Sequence, residues 1–235
     1  MNWRRRAFLS AAVLALGGAA CAACATAHLP SAPPTLRIYL ARHGQTDWNA
    51  AHRLQGQTDI ELNATGREQA AKLKQRVAAI QLDHVYSSTL KRSRETAEIA
   101  RGAVPLTSLP ELMEQHVGKF EGQIVDDSNP AVRDEFERRS HDPEDSLDGG
   151  ESENQLVARV RTALETIRAR SSHGAVLIVG HGGTNRAILR VLLDLSSQKA
   201  AAIQQANDEL YLIKLTAGQK PRLWKWIDDA HLSEL

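Results

Sequence analysis

Beyond residue 24 the chain has no cysteine; Cys21 and Cys24 are the only two in 235 residues. Everything downstream therefore lacks a disulfide, a thiol nucleophile and a thiolate metal ligand, and must be stabilised by packing. An excess of charge is missing too, with 29 Lys plus Arg against 28 Asp plus Glu. That balance offers nucleic acid or any other polyanion no electrostatic footprint, so phosphate recognition, if present, has to be local. There is no GxxxxGK loop for nucleotide phosphates and no His-x-x-x-His pair for a metal ion. No apolar run reaches the roughly 20 residues of a membrane-spanning helix, and no internal repeat follows the N-terminal region. What is present, 42% hydrophobic and 24% charged residues, is the composition of a globular protein and excludes a disordered or collagen-like chain.

The N-terminus has the layout of an export signal. Met1 to Arg6 is short and basic, Ala7 to Ala20 is apolar, and Ala25-Thr26-Ala27 supplies the small-x-small cleavage pattern. Arg5-Arg6-Ala7-Phe8-Leu9 resembles a twin-arginine signal, which implies export of a folded protein to the periplasm. Two alternatives are a buried N-terminal helix and a lipoprotein acylated at Cys21 or Cys24. Lipidation is disfavoured because Gly18 and Cys21, rather than Leu, stand three residues upstream of those cysteines. Cleavage after residue 27 leaves 26 basic and 28 acidic side chains and no membrane span. Residues 28–34, with Pro30, Pro33 and Pro34, read as a tether, and the folded domain is expected over 35–235.

Within that domain Leu36–Ala41, Asp83–Ser87, Ala175–Val179, Leu210–Leu215 and Leu223–Ile227 read as strands. The third is apolar throughout, as a central strand buried on both faces would be. Helical spacing follows a capping box at Thr65-Gly66-Arg67-Glu68 and another at Ser152-Glu153-Asn154-Gln155, and residues 89–101 and 184–195 also suit helices. Alternation of strands and helices predicts an α/β fold, a three-layer α/β/α sandwich around a mostly parallel sheet. Residues 123–150 interrupt it with a polar excursion, expected to lie over the active site and to hold a short helix at 131–139.

Two histidines stand immediately past apolar strands, His43 with Arg42 beside it and His181 after Gly180. In parallel α/β sheets ligands bind beyond the carboxyl ends of strands, and Gly44, Gly182 and Gly183 are expected to let backbone approach a bound group. The string Arg42-His43-Gly44-Gln45-Thr46-Asp47-Trp48-Asn49 continues through Leu54-Gln55-Gly56 and Asp59 to Ala70. Further blocks are Ser87 to Ala97, Leu112-Met113-Glu114 with Gly118 and Glu121-Gly122, Gly150-Glu151-Ser152, and Gly180-His181-Gly182-Gly183. In this order, over residues 36–215, they resemble the signature of the histidine phosphatase superfamily, the phosphoglycerate mutase-like family, branch 1 type. Glu61 and Asn63 depart from its usual Pro and Thr.

The resemblance implies a phosphate pocket at the strand ends and a cofactor-independent phosphomonoesterase with no metal. Carried over residue by residue, it makes His43 the nucleophile that becomes phosphohistidine. Arg42 and Arg92 become the guanidinium clamp on the phosphoryl oxygens, and His181 a third contact. Glu114 becomes the proton donor to the leaving oxygen. Asn49, Gln55, Gly56 and the backbone at Gly182 become further substrate contacts. Arg94, two residues from Arg92, falls on another helical face and is expected to be exposed or ion-paired. His52, His84, His116, His141, His173 and His231 carry no motif.

The implied substrate is a small phosphate monoester, and no sequence feature indicates an oligomeric state. Three rival readings stand beside hydrolysis. A metal hydrolase is opposed by Arg42 next to His43. A phosphoglycerate mutase would need a charged cover, for which the excursion supplies only Arg133, Arg138 and Arg139. A noncatalytic phospholigand-binding module would not require His43 and Glu114 together.

Overall fold

The computed structural model describes residues 33–228 and 231–234. The expected leader over 1–27, with both cysteines, and residues 28–32 of the expected tether lie outside the described residues. In chain order the elements are β1 (Thr35–Arg42), α1 (Asp47–Ala50), α2 (Ala64–Val77), β2 (His84–Ser87), α3 (Lys91–Ala100) and β3 (Leu106–Ser108). There follow α4 (Pro130–Ser140), α5 (Glu153–Arg170), β4 (Gly174–Gly180), α6 (Gly182–Leu193), α7 (Ser197–Ala201), β5 (Leu210–Thr216), β6 (Arg222–Asp228) and β7 (His231–Glu234). Short 3-10 turns at Pro110–Leu112 and Gly118–Phe120 join β3 to the excursion.

The strands form one sheet in the order β3-β2-β4-β1-β5-β6-β7. Pairing is parallel from β3 to β1 and antiparallel from β1 to β7. The expected α/β sandwich is present, and in such folds ligands bind beyond the carboxyl ends of the parallel strands. Side chains alternate across the sheet, so Ile38, Leu40, Val176 and Ile178 meet α5 and α6 while Tyr39, Ala41, Leu177 and Val179 meet α2 and α3. Ala175 to Val179 is fully buried, as its uninterrupted apolar sequence requires.

Helix starts decide where those layers sit. Ser152 caps α5 as expected, its hydroxyl accepting from Gln155 N–H while the Gln155 side chain accepts from Ser152 N–H. Leu156, Val160, Leu164 and Ile167 then face the sheet. The expected box at Thr65 is not the start of α2. Asn63 is its N-cap, accepting from Gly66 N–H at 2.9 Å. Its amide also donates to Gln45 Oε1 at 3.1 Å, a tertiary bond that Thr65 has no partner to match.

The excursion carries α4, and its Val132, Phe136 and Leu147 pack with Leu54, Val117 and Phe120 in a separate small core. Among the described residues no helix is long and apolar enough to cross a membrane.

Candidate active site

Register brings the two strand-end histidines together. β1 and β4 run parallel with Arg42 opposite Gly180, so the next residue on each strand, His43 and His181, emerges at the same edge. Their rings lie 5.0 Å apart, centroid to centroid, and both are buried. His43 N–H extends the ladder by donating to Gly180 O, and its own carbonyl accepts from Asn207 Nδ2 at 2.7 Å.

His43 Nδ1 lies 2.7 Å from Gly44 O. A carbonyl only accepts, so Nδ1 carries the proton, and in the neutral ring Nε2 keeps its lone pair. Burial, then the charges of Arg92 and Arg42, hold His43 well below the ordinary imidazole range, with the Gly44 bond opposing them. His181 is held down in the same direction by burial, then by Arg92, His43 and Arg42. Its Nε2 sits 2.7 Å from Ser88 Oγ, while its Nδ1 is buried without a protein partner. Ser88 Oγ also accepts from Leu90 N–H at 3.2 Å, and its second lone pair or its proton serves His181 Nε2 according to the His181 tautomer.

Folding therefore keeps both rings neutral, with a consequence for stability. Below about pH 6.5 the unfolded chain takes up protons that the native rings refuse, so stability falls as pH falls, by about 1.4 kcal/mol per pH unit for each ring. The melting temperature should drop steadily from pH 6.5 to 5. Asp145, held near 2 by Arg139, titrates far below that window. A melting temperature that rises on acidification would contradict neutral buried rings.

The two arginines are fixed differently. Arg92, on α3, is fully buried and donates from Nη1 to Thr58 O at 2.8 Å and from Nη2 to Gly56 O at 2.7 Å. Burial lowers its pKa to about 10, against the opposing pull of Glu114 and Asp59. Arg42 donates from Nη1 to Gln205 O at 3.0 Å. Burial lowers its pKa as well, with Glu114 opposing. The Nε atoms of both arginines are buried without a partner.

Glu114 meets the N-terminus of α6. Its Oε1 accepts from Gln115 N–H at 2.9 Å and Thr184 N–H at 3.0 Å, and its Oε2 from Gly183 N–H at 3.0 Å. A carboxylate at the positive end of a helix is favourably placed.

A cavity of about 610 Å³ opens on this cluster, and Arg42, His43, Asn49, Gln55, Gly56, Arg92 and Glu114 lie on its wall. His181 and Gly182 do not. His181 is sealed off beside His43, and Gly182 stands next to Arg42 and Glu114. Asn49 Oδ1 is taken up in capping α1, where it accepts from Thr46 N–H at 3.1 Å. Gln55 Oε1 is buried with no protein partner. The carbonyl of Gly56 faces Arg92 rather than the cavity's contents. The glycines also differ from expectation. A Cβ at Gly44 would stand 2.3 Å from Gly66 O, and one at Gly183 2.6 Å from Glu114 Oε1, so these two are small for the protein's own packing. Only Gly182 leaves room beside Arg42. Arg94 is exposed, as its helical phase requires.

Several supporting residues escaped the sequence reading. Arg159 on α5 donates to the carbonyls of Glu111, Met113 and Glu114 while forming a bidentate pair with Glu151, and so clamps the Glu114 loop. Glu121 accepts from Gln57 N–H at 2.8 Å and Thr58 N–H at 3.0 Å, shaping the loop whose carbonyls hold Arg92. Glu121 and Glu151 stand inside the motif blocks, but their spacing does not show what they grip. Among the described residues no group of three or more His, Cys, Asp or Glu could hold a metal ion.

Comparison with known proteins bears on the family and the fold. The family model of the histidine phosphatase superfamily, branch 1, matches residues 38–229. Phosphoglycerate mutase-like protein 4 of Arabidopsis thaliana is 33% identical over 205 residues, 84% of this chain and 87% of the relative. The metal-independent phosphoserine phosphatase of the same plant is 36% identical over 206 residues, 84% of each chain. The native structure of a mycobacterial glucosyl-3-phosphoglycerate phosphatase superposes with a TM-score of 0.73 at 26% identity, covering 82% of this chain and 98% of that one. On the family match, the extent of these likenesses and the shared fold, the chain belongs to branch 1 of the histidine phosphatase superfamily.

Proposed function

We propose that this protein hydrolyses small phosphate monoesters in two steps, with His43 as the nucleophile. Nε2 of His43 attacks phosphorus, the N–P bond forms, and the ester P–O bond breaks as Glu114 gives a proton to the leaving oxygen. Water then attacks the phosphohistidine, losing a proton to Glu114, and the N–P bond breaks to release inorganic phosphate. Arg42 and Arg92 hold the phosphoryl oxygens through planar forks suited to them, while His181, its ring 5.0 Å from that of His43, packs beside the nucleophile. Asn49, Gln55 and the N–H of Gly182 complete the cradle. The observation that carries this reading is the His43 Nδ1 bond to Gly44 O, which leaves Nε2 free for attack between two cations.

Hydrolysis is favoured over phosphoryl return to a bound intermediate by the fate of the excursion's cations. Arg133 pairs with Asp127 and Asp134, and Arg139 with Asp145 and Asp148. Neither they nor Arg138 lie on the cavity wall, to which the excursion contributes Phe136, Ser140 and His141. The relatives' names cover both chemistries, so the product assay is the test. With 3-phosphoglycerate in chelator-containing buffer, inorganic phosphate should appear faster than 2-phosphoglycerate; the reverse order would make the enzyme a mutase.

A further inference from the structure

The cavity holds more positive charge than a single phosphate needs. Its wall carries Arg42, Arg53, Arg92 and Arg186 against Glu114 and Glu153. Each of these is engaged except one. Arg92 donates to Gly56 O at 2.7 Å, Arg42 to Gln205 O at 3.0 Å, and Arg53 to Gly122 O at 2.7 Å. Glu114 is taken up by backbone N–H groups, and Glu153 pairs with Arg190 at 2.7 Å and accepts from Ser197. Arg186 alone, half-buried on α6, makes no hydrogen bond or ion pair among the described residues.

Its position is informative. Arg186 follows Gly182 by four residues on α6, so it shares that residue's face one turn along, about 5–6 Å further from the helix N-terminus. Its charge is close enough to disfavour the cationic form of Arg42. Two guanidinium groups gathered on one wall of a cavity, with both neighbouring carboxylates already used, call for an anion that the protein does not supply.

We infer that the site selects phosphomonoesters bearing a second anionic group close to the ester, and that Arg186 receives that group. This rests on the hydrolase reading above and adds the substrate class to it. The phosphoryl group lies at the strand ends by His43, while a carboxylate or second phosphate a few bonds away meets the Arg186 fork.

The test compares substrates that share a skeleton and differ in one group. 3-Phosphoglycerate carries a carboxylate where glycerol 3-phosphate carries a hydroxymethyl, and propane-1,3-diol bisphosphate differs from its monophosphate by one phosphate. The wild-type ratio of kcat/KM should favour the doubly anionic member by about 10- to 100-fold, the range of a charged hydrogen bond. The carboxylate and phosphate arms separately identify the preferred second anion. In Arg186→Ala that ratio should fall to within about threefold of unity, and Arg186→Lys should restore part of it. A wild-type enzyme that hydrolyses all four without preference, or a preference that survives Arg186→Ala, would overturn the inference while leaving the hydrolase reading intact. Failure to hydrolyse any of them, or p-nitrophenyl phosphate, would overturn both.

Discussion

Alanine at position 43 should lower kcat for p-nitrophenyl phosphate by about four orders of magnitude or more, the scale on which removing a covalent nucleophile acts. The effect is expected to be this large because no positioned substitute exists. The nearest ring, His181, has Nε2 engaged by Ser88 and is sealed from the cavity. Quenching the wild type during turnover of a 32P-labelled ester should trap acid-labile, alkali-stable label on the protein, and His43→Ala should trap none. Because His43 is buried, the variant's melting curve has to accompany its rate. His43→Gln, closer in volume, controls for the cavity that alanine leaves. Undiminished turnover or labelling in a folded variant would remove His43 from the mechanism and favour another nucleophile.

Arg92→Ala should combine two losses. One is electrostatic: removing a fixed donor to the developing charge costs about 100- to 1000-fold in kcat/KM. The other is structural, since Gly56 O and Thr58 O lose their donor at about 1–3 kcal/mol each. For a domain of this size that lowers the melting temperature by roughly 4–24 °C. Arg92→Lys keeps the charge but not the fork, so it should recover part of the stability and little of the rate. Arg92 is also the largest charge acting on His43. Its removal should therefore move the acidic limb of the pH profile upward. A variant that melts and turns over like the wild type would show that Arg92 neither braces the loop nor touches the phosphoryl group.

What the sequence made legible was whatever depends on neighbours along the chain. The apolar run of β4 and the box at Ser152 both signal themselves within a few residues, and strand-end position singled out His43 and His181. β3 did not, because the three residues Leu106–Ser108 are too few to show alternation, and neither did β7, four residues long at the sheet's edge. At α2 the local box at Thr65 misplaced the start, because Asn63, two residues earlier, is the N-cap and is tied to Gln45 by a tertiary bond. The bracing groups were hidden for the same reason. Ser88 reaches His181 across 93 residues, Glu121 reaches Gln57 across 64, and Arg159 reaches Glu114 across 45. Nothing in the spacing of residue types records such distances.

The central place of β1 has a consequence for biosynthesis. β1, the first strand of the described residues to leave the ribosome, pairs on one side with residues 174–180 and on the other with residues 210–216. At about 5–20 residues per second, it waits roughly 10–40 s for both partners to be translated. During that interval Ile38, Leu40 and their neighbours have no sheet to join, and the nascent polypeptide cannot form a working enzyme. Activity thus arrives late and all at once, and a prematurely terminated product ending before β4 is expected to be inert and a client for chaperones.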